Sequence, residues 1–166
     1  MSRDGSSAAR ALAGFRGAIR RFQRLGESER GAVIYDDYAH HPTEVAATLA
    51  GARTLNAARL VAVFQPHLYS RTAMLSRELG RALAEADVAV VVDVYPARER
   101  AEEHPGVSGL LVAEAAADAA AGRPVYWLPG LDDAERVLRD LLARGDVCVV
   151  MGAGDIETLG HGLVAR

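Results

Sequence analysis

The segment after the first strand candidate carries side chains suited to several kinds of chemistry. It holds two carboxylates, a tyrosine and two histidines: Asp36, Asp37, Tyr38, His40 and His41. Such a group can bind a divalent metal ion, hold a ribose or transfer protons. The alternative is a polar turn in which His41 or Thr43 caps the helix that follows. Taken alone, the segment leaves both interpretations open.

A second polar segment runs from Phe64 to Thr72 and contains His67 and Arg71. Arg71 falls in the first turn of the next predicted helix, where the helix dipole disfavours positive charge. This placement is explained if Arg71 and the helix amides together receive an anion such as a carboxylate. The other explanation is an exposed Arg71 that pairs with Glu78 or with solvent.

The basic residues of this 166-residue chain are all arginines, since the Lys+Arg count of 19 contains no lysine. This excludes a Walker A phosphate loop and any lysine Schiff base or general base. The net charge of -3 argues against a nucleic-acid-binding protein. Cys148 is the single cysteine and lies in an apolar run, as a buried thiol does. No apolar stretch is long enough to span a membrane, so we expect a cytoplasmic protein.

Short valine-rich runs alternate with helical stretches from about residue 31 onward. The strand candidates are Ala32 to Tyr35, Leu60 to Phe64, Val88 to Val94, Val125 to Leu128 and Val147 to Met151. The helix candidates are Thr43 to Arg53, Arg71 to Glu85, Leu110 to Ala121, Leu131 to Ala143 and a short one near Asp155. This alternation predicts an α/β fold, a Rossmann-like three-layer αβα domain with a mostly parallel sheet. Ligands of such folds bind beyond the carboxyl ends of the strands, where both polar segments lie.

Two further loops reach the same predicted edge. The loop from Tyr95 to Gly109 is long for a compact α/β domain, and long loops are often functional. The last strand ends in Gly152-Ala153-Gly154, which lacks the third glycine of a dinucleotide fingerprint and favours a tight turn.

Five motifs together resemble those of the Mur ligases. They are RRFQ, DDYAHHPTE, FQPHLYSRT, VYPARE and MGAGDI, in the family's order between residues 15 and 160. Mur ligases have an N-terminal UDP-sugar domain, a central ATPase domain and a C-terminal Rossmann-like domain. The chain is similar to the last of these. The resemblance implies that residues 1–15 are a helical tail of the central domain and that residues 16–166 are the C-terminal domain.

The resemblance also implies an activity, because the motifs are most similar to those of members that use L-alanine. ATP phosphorylates the lactyl carboxylate of UDP-N-acetylmuramate, and the amine of L-alanine attacks the acyl phosphate. The C-terminal domain binds the amino acid, contacts ATP and is inactive alone. Mg²⁺ belongs to the central domain, and none is expected on this chain by itself. Neither nucleic acid nor membrane is expected as a partner.

Roles for single residues follow from the same resemblance. Arg21 and Asp37 match catalytic residues that contact the nucleotide. The residues that match the amino-acid site are Tyr38, His40, His41, His67 and Arg71. One position departs from the family pattern, because many members have arginine where this chain has Leu68.

Two other functions remain as alternatives to a ligase domain. The first is a free-standing module that binds an amino acid or a nucleotide without catalysis. The second is a metal-dependent hydrolase that uses Asp36, Asp37, His40 and His41.

Overall fold

The computed structural model describes residues 20–165, which form an α/β domain. The strands among these residues are β1 (Gln23–Glu27), β2 (Val33–Asp37), β3 (Arg59–Phe64), β4 (Val88–Val91), β5 (Val125–Trp127) and β6 (Asp146–Met151). The α-helices are α1 (Pro42–Arg53), α2 (Tyr69–Leu83), α3 (Leu110–Ala119), α4 (Leu131–Leu141) and α5 (Glu157–Leu163). The five strand candidates from the sequence all appear as strands, with small differences at their ends.

The six strands form one sheet in the order β1-β2-β6-β3-β4-β5. All neighbours are parallel except β1, which runs antiparallel to β2. The last strand in the chain, β6, therefore lies between β2 and β3. The predicted fold class is confirmed. Loops that follow β2, β3 and β6 are neighbours at one edge of the sheet, although they are far apart in sequence.

Helices cover both faces of the sheet, because its strands are apolar at consecutive positions. Leu60, Ala62 and Phe64 of β3 face a core shared with α1, α2 and α3. The alternate residues Val61 and Val63 face a second core shared with α4 and α5. This period of two along a strand explains why continuous valine-rich runs predict a sheet that is buried on both sides. None of the described helices is long and apolar enough to cross a membrane.

The edge strand β1 was not predicted from the sequence. Its residues are exposed or half-buried and include Arg24 and Glu27, so they give no apolar run. Pairing with β2 places Gln23 opposite Asp36, and the rings of Phe22 and Tyr35 stack with centroids 4.6 Å apart. Strand β1 is thus an integral part of the sheet. The predicted helical tail over residues 1–15 lies outside the described residues.

Candidate functional site

A row of aromatic rings crosses the carboxyl edge of the sheet. The ring centroids of Tyr38 and His40 are 5.4 Å apart, and those of His40 and His67 are 6.0 Å apart. His67 then stacks on Tyr95 at 5.7 Å. The fold therefore brings three of the predicted site residues together. It adds Tyr95, which the sequence placed only in a long loop.

Buried polar atoms without partners lie beside this row. Among residues 20–165 they are Gln65 Oε1, His67 Nδ1 and Arg71 Nη1. Almost all buried polar atoms in proteins have a hydrogen-bond partner, so three unpaired atoms at one edge mark it as a candidate site for a polar ligand. Burial lowers the pKa of His67 below its ordinary value, and the positive charge of Arg71 lowers it further. A neutral His67 beside a cationic Arg71 suits a carboxylate ligand better than a cation.

Gln65 belongs to the same group of unpaired atoms but was not singled out from the sequence. Its Nε2 donates a hydrogen bond of 2.8 Å to Asp155, which leaves Oε1 as the free acceptor. Gly154 lies against this group, since a Cβ atom there would come within 2.5 Å of Gln65 Oε1 and 2.4 Å of the Tyr95 ring. Only glycine allows this close approach. Gly154 therefore packs against both Gln65 and Tyr95, and Tyr95 in turn stacks on His67.

The N-terminus of α2 already holds a carboxylate of the protein itself. The backbone amide of Ser70 donates to Glu99 at 2.9 Å, and the Ser70 hydroxyl donates to the other carboxylate oxygen at 2.5 Å. Glu99 comes from the long loop after β4. Leu68, the N-cap residue of α2, makes no side-chain hydrogen bond to the helix amides. The predicted joint site of Arg71 and the helix amides is therefore altered, because Glu99 occupies the Ser70 amide. Arg71 Nη1 is left as the donor for an external anion.

A cleft of about 190 Å³ lies at the other end of the aromatic row. Its lining is Arg21, Asp37, Tyr38, Ala39, Glu44, Ala47 and Thr48. Asp37 is only 9% exposed and orders the cleft wall, because its two oxygens accept the backbone amides of Phe22 at 2.7 Å and Ala39 at 2.8 Å. Arg21 is exposed on the same cleft. Arg21, Asp37 and Tyr38 thus line one cleft, although the sequence assigned Tyr38 to the amino-acid site and the other two to the nucleotide.

His41 has a helix-capping role. Its Nδ1 accepts the amide of Thr43 at 3.4 Å, and Glu44 accepts the amides of His40 and His41 at 3.1 Å each. Together these bonds form a capping box at the start of α1. Partial burial raises the pKa of Glu44, but the two amides and the neighbouring imidazoles outweigh it and leave the pKa below its ordinary value. Of the two histidines, His40 is the one that joins the aromatic row.

Arg20 is the most buried arginine of the site, with 9% exposure, and was not predicted as a site residue. Its Nε and Nη2 bind the Asp36 carboxylate at 2.8 and 3.3 Å. Nη2 also donates to Gly152 O at 2.9 Å, and Nη1 donates to Gly154 O at 3.1 Å. The Gly152–Gly154 turn thus directs carbonyl oxygens at an arginine. The sequence did contain a signal for this ion pair. Two adjacent arginines, Arg20-Arg21, precede two adjacent aspartates, Asp36-Asp37, by 16 residues.

The metal-dependent hydrolase finds no support in this geometry. Asp36 is paired with Arg20, Asp37 accepts two backbone amides and His41 caps α1. Across residues 20–165, no three His, Cys, Asp or Glu side chains are grouped so that they could hold a metal ion.

Comparison with known proteins gives a consistent result. Residues 20–154 match the family model described as Mur ligase, glutamate ligase domain. The chain is 48% identical over 161 residues to a UDP-N-acetylmuramate–L-alanine ligase of Rhodococcus erythropolis, covering 90% of this chain and 30% of that protein. It is 46% identical over 168 residues to the ligase of the same name from Rubrobacter xylanophilus, covering 100% and 37%. The chain thus spans about a third of the length of these curated relatives.

Solved structures share the fold. A crystal structure of the UDP-N-acetylmuramate–alanine ligase MurC from Thermotoga maritima matches with a TM-score of 0.71 and 28% identity, over 95% of this chain and 32% of that one. A separately solved domain of a ligase from Haemophilus ducreyi matches with a TM-score of 0.63 and 22% identity, over 86% of this chain and 96% of that one. The second match shows that a domain of this fold has been studied without the rest of its protein.

Proposed function

This chain belongs to the Mur ligase family, and from that premise we propose that it is the amino-acid-binding C-terminal domain of an ATP-dependent ligase. The proposed reaction joins L-alanine to UDP-N-acetylmuramate, the substrates in the names of its relatives. Free-standing binding of an amino acid or nucleotide, without catalysis, is the competing function.

The observation that carries the proposal is the group of three unpaired polar atoms at the carboxyl edge. Arg71 Nη1 is a charged donor that suits the carboxylate of an amino acid, and neutral His67 lies beside it. Gln65 Oε1 is an acceptor that suits the amine. Two groups of opposite hydrogen-bonding character match the two ends of an α-amino acid.

The reaction places clear demands on these residues. The amine nitrogen of L-alanine forms a bond to the carbonyl carbon of an acyl phosphate, the carbon–oxygen bond to phosphate breaks, and inorganic phosphate leaves. The nitrogen loses a proton as the amide forms. Arg71 and His67 would hold the carboxylate so that the amine is oriented for attack. Arg21, exposed in the cleft beside Asp37, would approach the ATP phosphates and stabilise charge on the transferring phosphoryl group.

Catalysis by this chain alone is not expected. The described residues offer no grouped metal ligands for the Mg²⁺ that accompanies ATP. As the resemblance to the Mur ligases implies, Mg²⁺ and most phosphate contacts would belong to a central domain of the longer enzyme. Closure of the two domains would bring Arg21 and the bound amino acid to the reacting groups.

A chimaeric enzyme tests this function directly. The chain would replace the matching third of the Rubrobacter xylanophilus ligase, to which it is 46% identical. We expect amide formation that requires ATP, L-alanine and UDP-N-acetylmuramate, and no such activity from the 166-residue chain alone. An inactive but folded chimaera, combined with tight L-alanine binding by the isolated chain, would instead support the free-standing binding module.

The Arg71→Ala variant of the chimaera tests the amino-acid site. Charge-assisted hydrogen bonds to a carboxylate contribute about 1.5–3 kcal/mol, so KM for L-alanine should rise about 10- to 100-fold. KM for ATP should stay unchanged. Arg77→Ala is the matched control, because Arg77 is exposed further along the same helix. An equal rise in KM for both variants would refute the assigned role of Arg71.

A further inference from the structure

Arg20 joins four segments of the chain that meet at the carboxyl edge. It lies before β1 and binds Asp36 at the end of β2 and two carbonyls of the turn after β6. Its Nε also lies 3.1 Å from Glu157 at the start of α5. The residue is only 9% exposed, so its guanidinium is directed inward and not toward a ligand.

The backbone around Arg20 forms an unusual turn. Arg20 has a φ of 70° and Phe22 a φ of 47°, and side chains other than glycine rarely adopt this left-handed region. Such conformations persist only where surrounding contacts determine them. Two hydrogen bonds of 2.7 Å do so here, from the Tyr38 amide to Arg20 O and from the Phe22 amide to Asp37.

Arg21 lies between these two left-handed residues. The turn directs neighbouring arginines to different places, with Arg20 buried against Asp36 and Arg21 exposed on the cleft with Asp37. Arg21 thus lies between two residues whose backbone is held by hydrogen bonds.

We propose that Arg20 is a positioning residue, whose ion pair with Asp36 and bonds to the Gly152–Gly154 turn hold the 20–22 turn so that Arg21 faces the cleft. The inference deepens the proposed function and rests on it, because Arg21 is there assigned to the ATP phosphates. Arg20 itself contacts no reacting atom. Its contribution is to fix Arg21 before ATP binds, which removes the need to order the turn during the reaction.

Amide hydrogen exchange in the isolated chain tests the turn without any assay of activity. The double variant Arg20→Gln/Asp36→Asn removes both charges together, so that neither remains buried without a partner. We expect exchange of the Phe22 and Tyr38 amides to accelerate at least tenfold, while that of Val149 in the core stays unchanged. Unchanged protection of Phe22 and Tyr38 would overturn the proposal.

The chain offers a matched control for this variant. Arg59 pairs with Asp146 at 2.6 Å and donates to Leu141 O at 2.8 Å, which repeats the arginine–aspartate–carbonyl arrangement at the opposite edge of the sheet. Arg59→Gln/Asp146→Asn should leave the Phe22 and Tyr38 amides protected. Equal acceleration in both double variants would show a general loss of stability and would also overturn the proposal.

Kinetics of the chimaeric ligase test the link to Arg21. Arg20→Gln/Asp36→Asn should lower kcat about tenfold while KM for L-alanine changes less than twofold. Arg21→Gln should do the same, and the two changes combined should lower kcat no further than Arg21→Gln alone. Losses that multiply would mean that Arg20 acts independently of Arg21. A wild-type chimaera without activity would refute the proposed function, and the exchange rates alone would then decide whether Arg20 holds the turn.

Discussion

Glu99 accepts the backbone amide of Ser70 at 2.9 Å and its hydroxyl at 2.5 Å. These bonds attach the long loop after β4 to the first turn of α2, directly beside Arg71. The ring of Tyr69 stacks on His104 from the same loop at 5.8 Å, and His104 Nε2 lies 3.7 Å from Glu99. The loop is therefore held against the first turn of α2 by a carboxylate at a helix N-terminus.

The contact between Glu99 and Ser70 should respond to acid. The hydrogen bonds from the Ser70 hydroxyl and then its amide lower the pKa of Glu99 below its ordinary value. A lowered pKa in the folded state stabilises the protein above the ordinary glutamate pKa, and the contribution disappears as pH falls through the lowered value. Glu99→Gln should therefore lower Tm at pH 7, and the difference in Tm from the wild type should shrink as pH falls below the ordinary glutamate pKa of about 4.3. Thermal unfolding measured from pH 7 downward checks this.

Glu102→Gln is the control for the Glu99 variant, because Glu102 is exposed in the same loop. Its Tm should equal that of the wild type at pH 7. A Glu99→Gln variant with wild-type Tm at pH 7 would show that the loop is held by other contacts.

His67 should report the binding of a carboxylate. Burial and the charge of Arg71 lower its pKa, so the NMR titration of its ring should have a midpoint below the ordinary histidine value of about 6.5. Saturating L-alanine should raise the His67 midpoint, because the bound carboxylate offsets the charge of Arg71. The Arg71→Ala variant should show a raised midpoint without ligand and no response to L-alanine.

The lowered pKa of His67 also determines how the stability of the domain changes with pH. The folded state favours the neutral ring, so stability is complete above the unfolded pKa of about 6.5 and falls as pH decreases through the folded value. A His67 midpoint at or above the ordinary value of about 6.5, or one unaffected by Arg71→Ala, would contradict the burial of His67 beside Arg71.

Substitution by glycine should change the free energy of unfolding in opposite directions at Leu68 and at Ala121. Both have left-handed backbone conformations, with φ of 68° and 52°, which cost a side chain other than glycine about 1–2 kcal/mol. Ala121 is exposed after the end of α3, so Ala121→Gly should stabilise by about 1 kcal/mol. Leu68 is 8% exposed, and its burial contributes about 1.5–3 kcal/mol. Leu68→Gly should therefore destabilise by about 1 kcal/mol. Urea unfolding measures the free energy of unfolding of both variants. Stabilisation by Leu68→Gly would show that the strain of the Leu68 backbone outweighs the burial of its side chain.

Cys148 should be unreactive until the domain unfolds. It is fully buried in the middle of β6, and burial, together with Asp146, raises its pKa to about 12. Because the thiolate is the reactive form, iodoacetamide at pH 8 should label the native chain far more slowly than the urea-unfolded chain. Since Cys148 is the single cysteine, mass spectrometry reads the labelled fraction directly. Rapid labelling of the native chain would contradict the central position of β6.

The sequence by itself determined the fold class and the family. Valine-rich runs at consecutive positions reflect burial on both faces of a sheet, which is a local property of each strand. The same reasoning could not find β1, because an exposed edge strand needs no apolar run. The order of motifs was sufficient for the resemblance to the Mur ligases, which the family match confirms.

Only the tertiary structure decided how individual polar residues are used. Sequence reasoning chose Arg21, and the structure adds a buried Arg20 whose hydrogen bond to Gly152 joins residues 132 positions apart. It also assigns His41 to the cap of α1 and Glu99 to the first turn of α2. Each assignment depends on which groups the parallel sheet brings to its carboxyl edge. A single sequence shows which side chains are present, but hydrogen bonding between distant segments is fixed only when the strands pair.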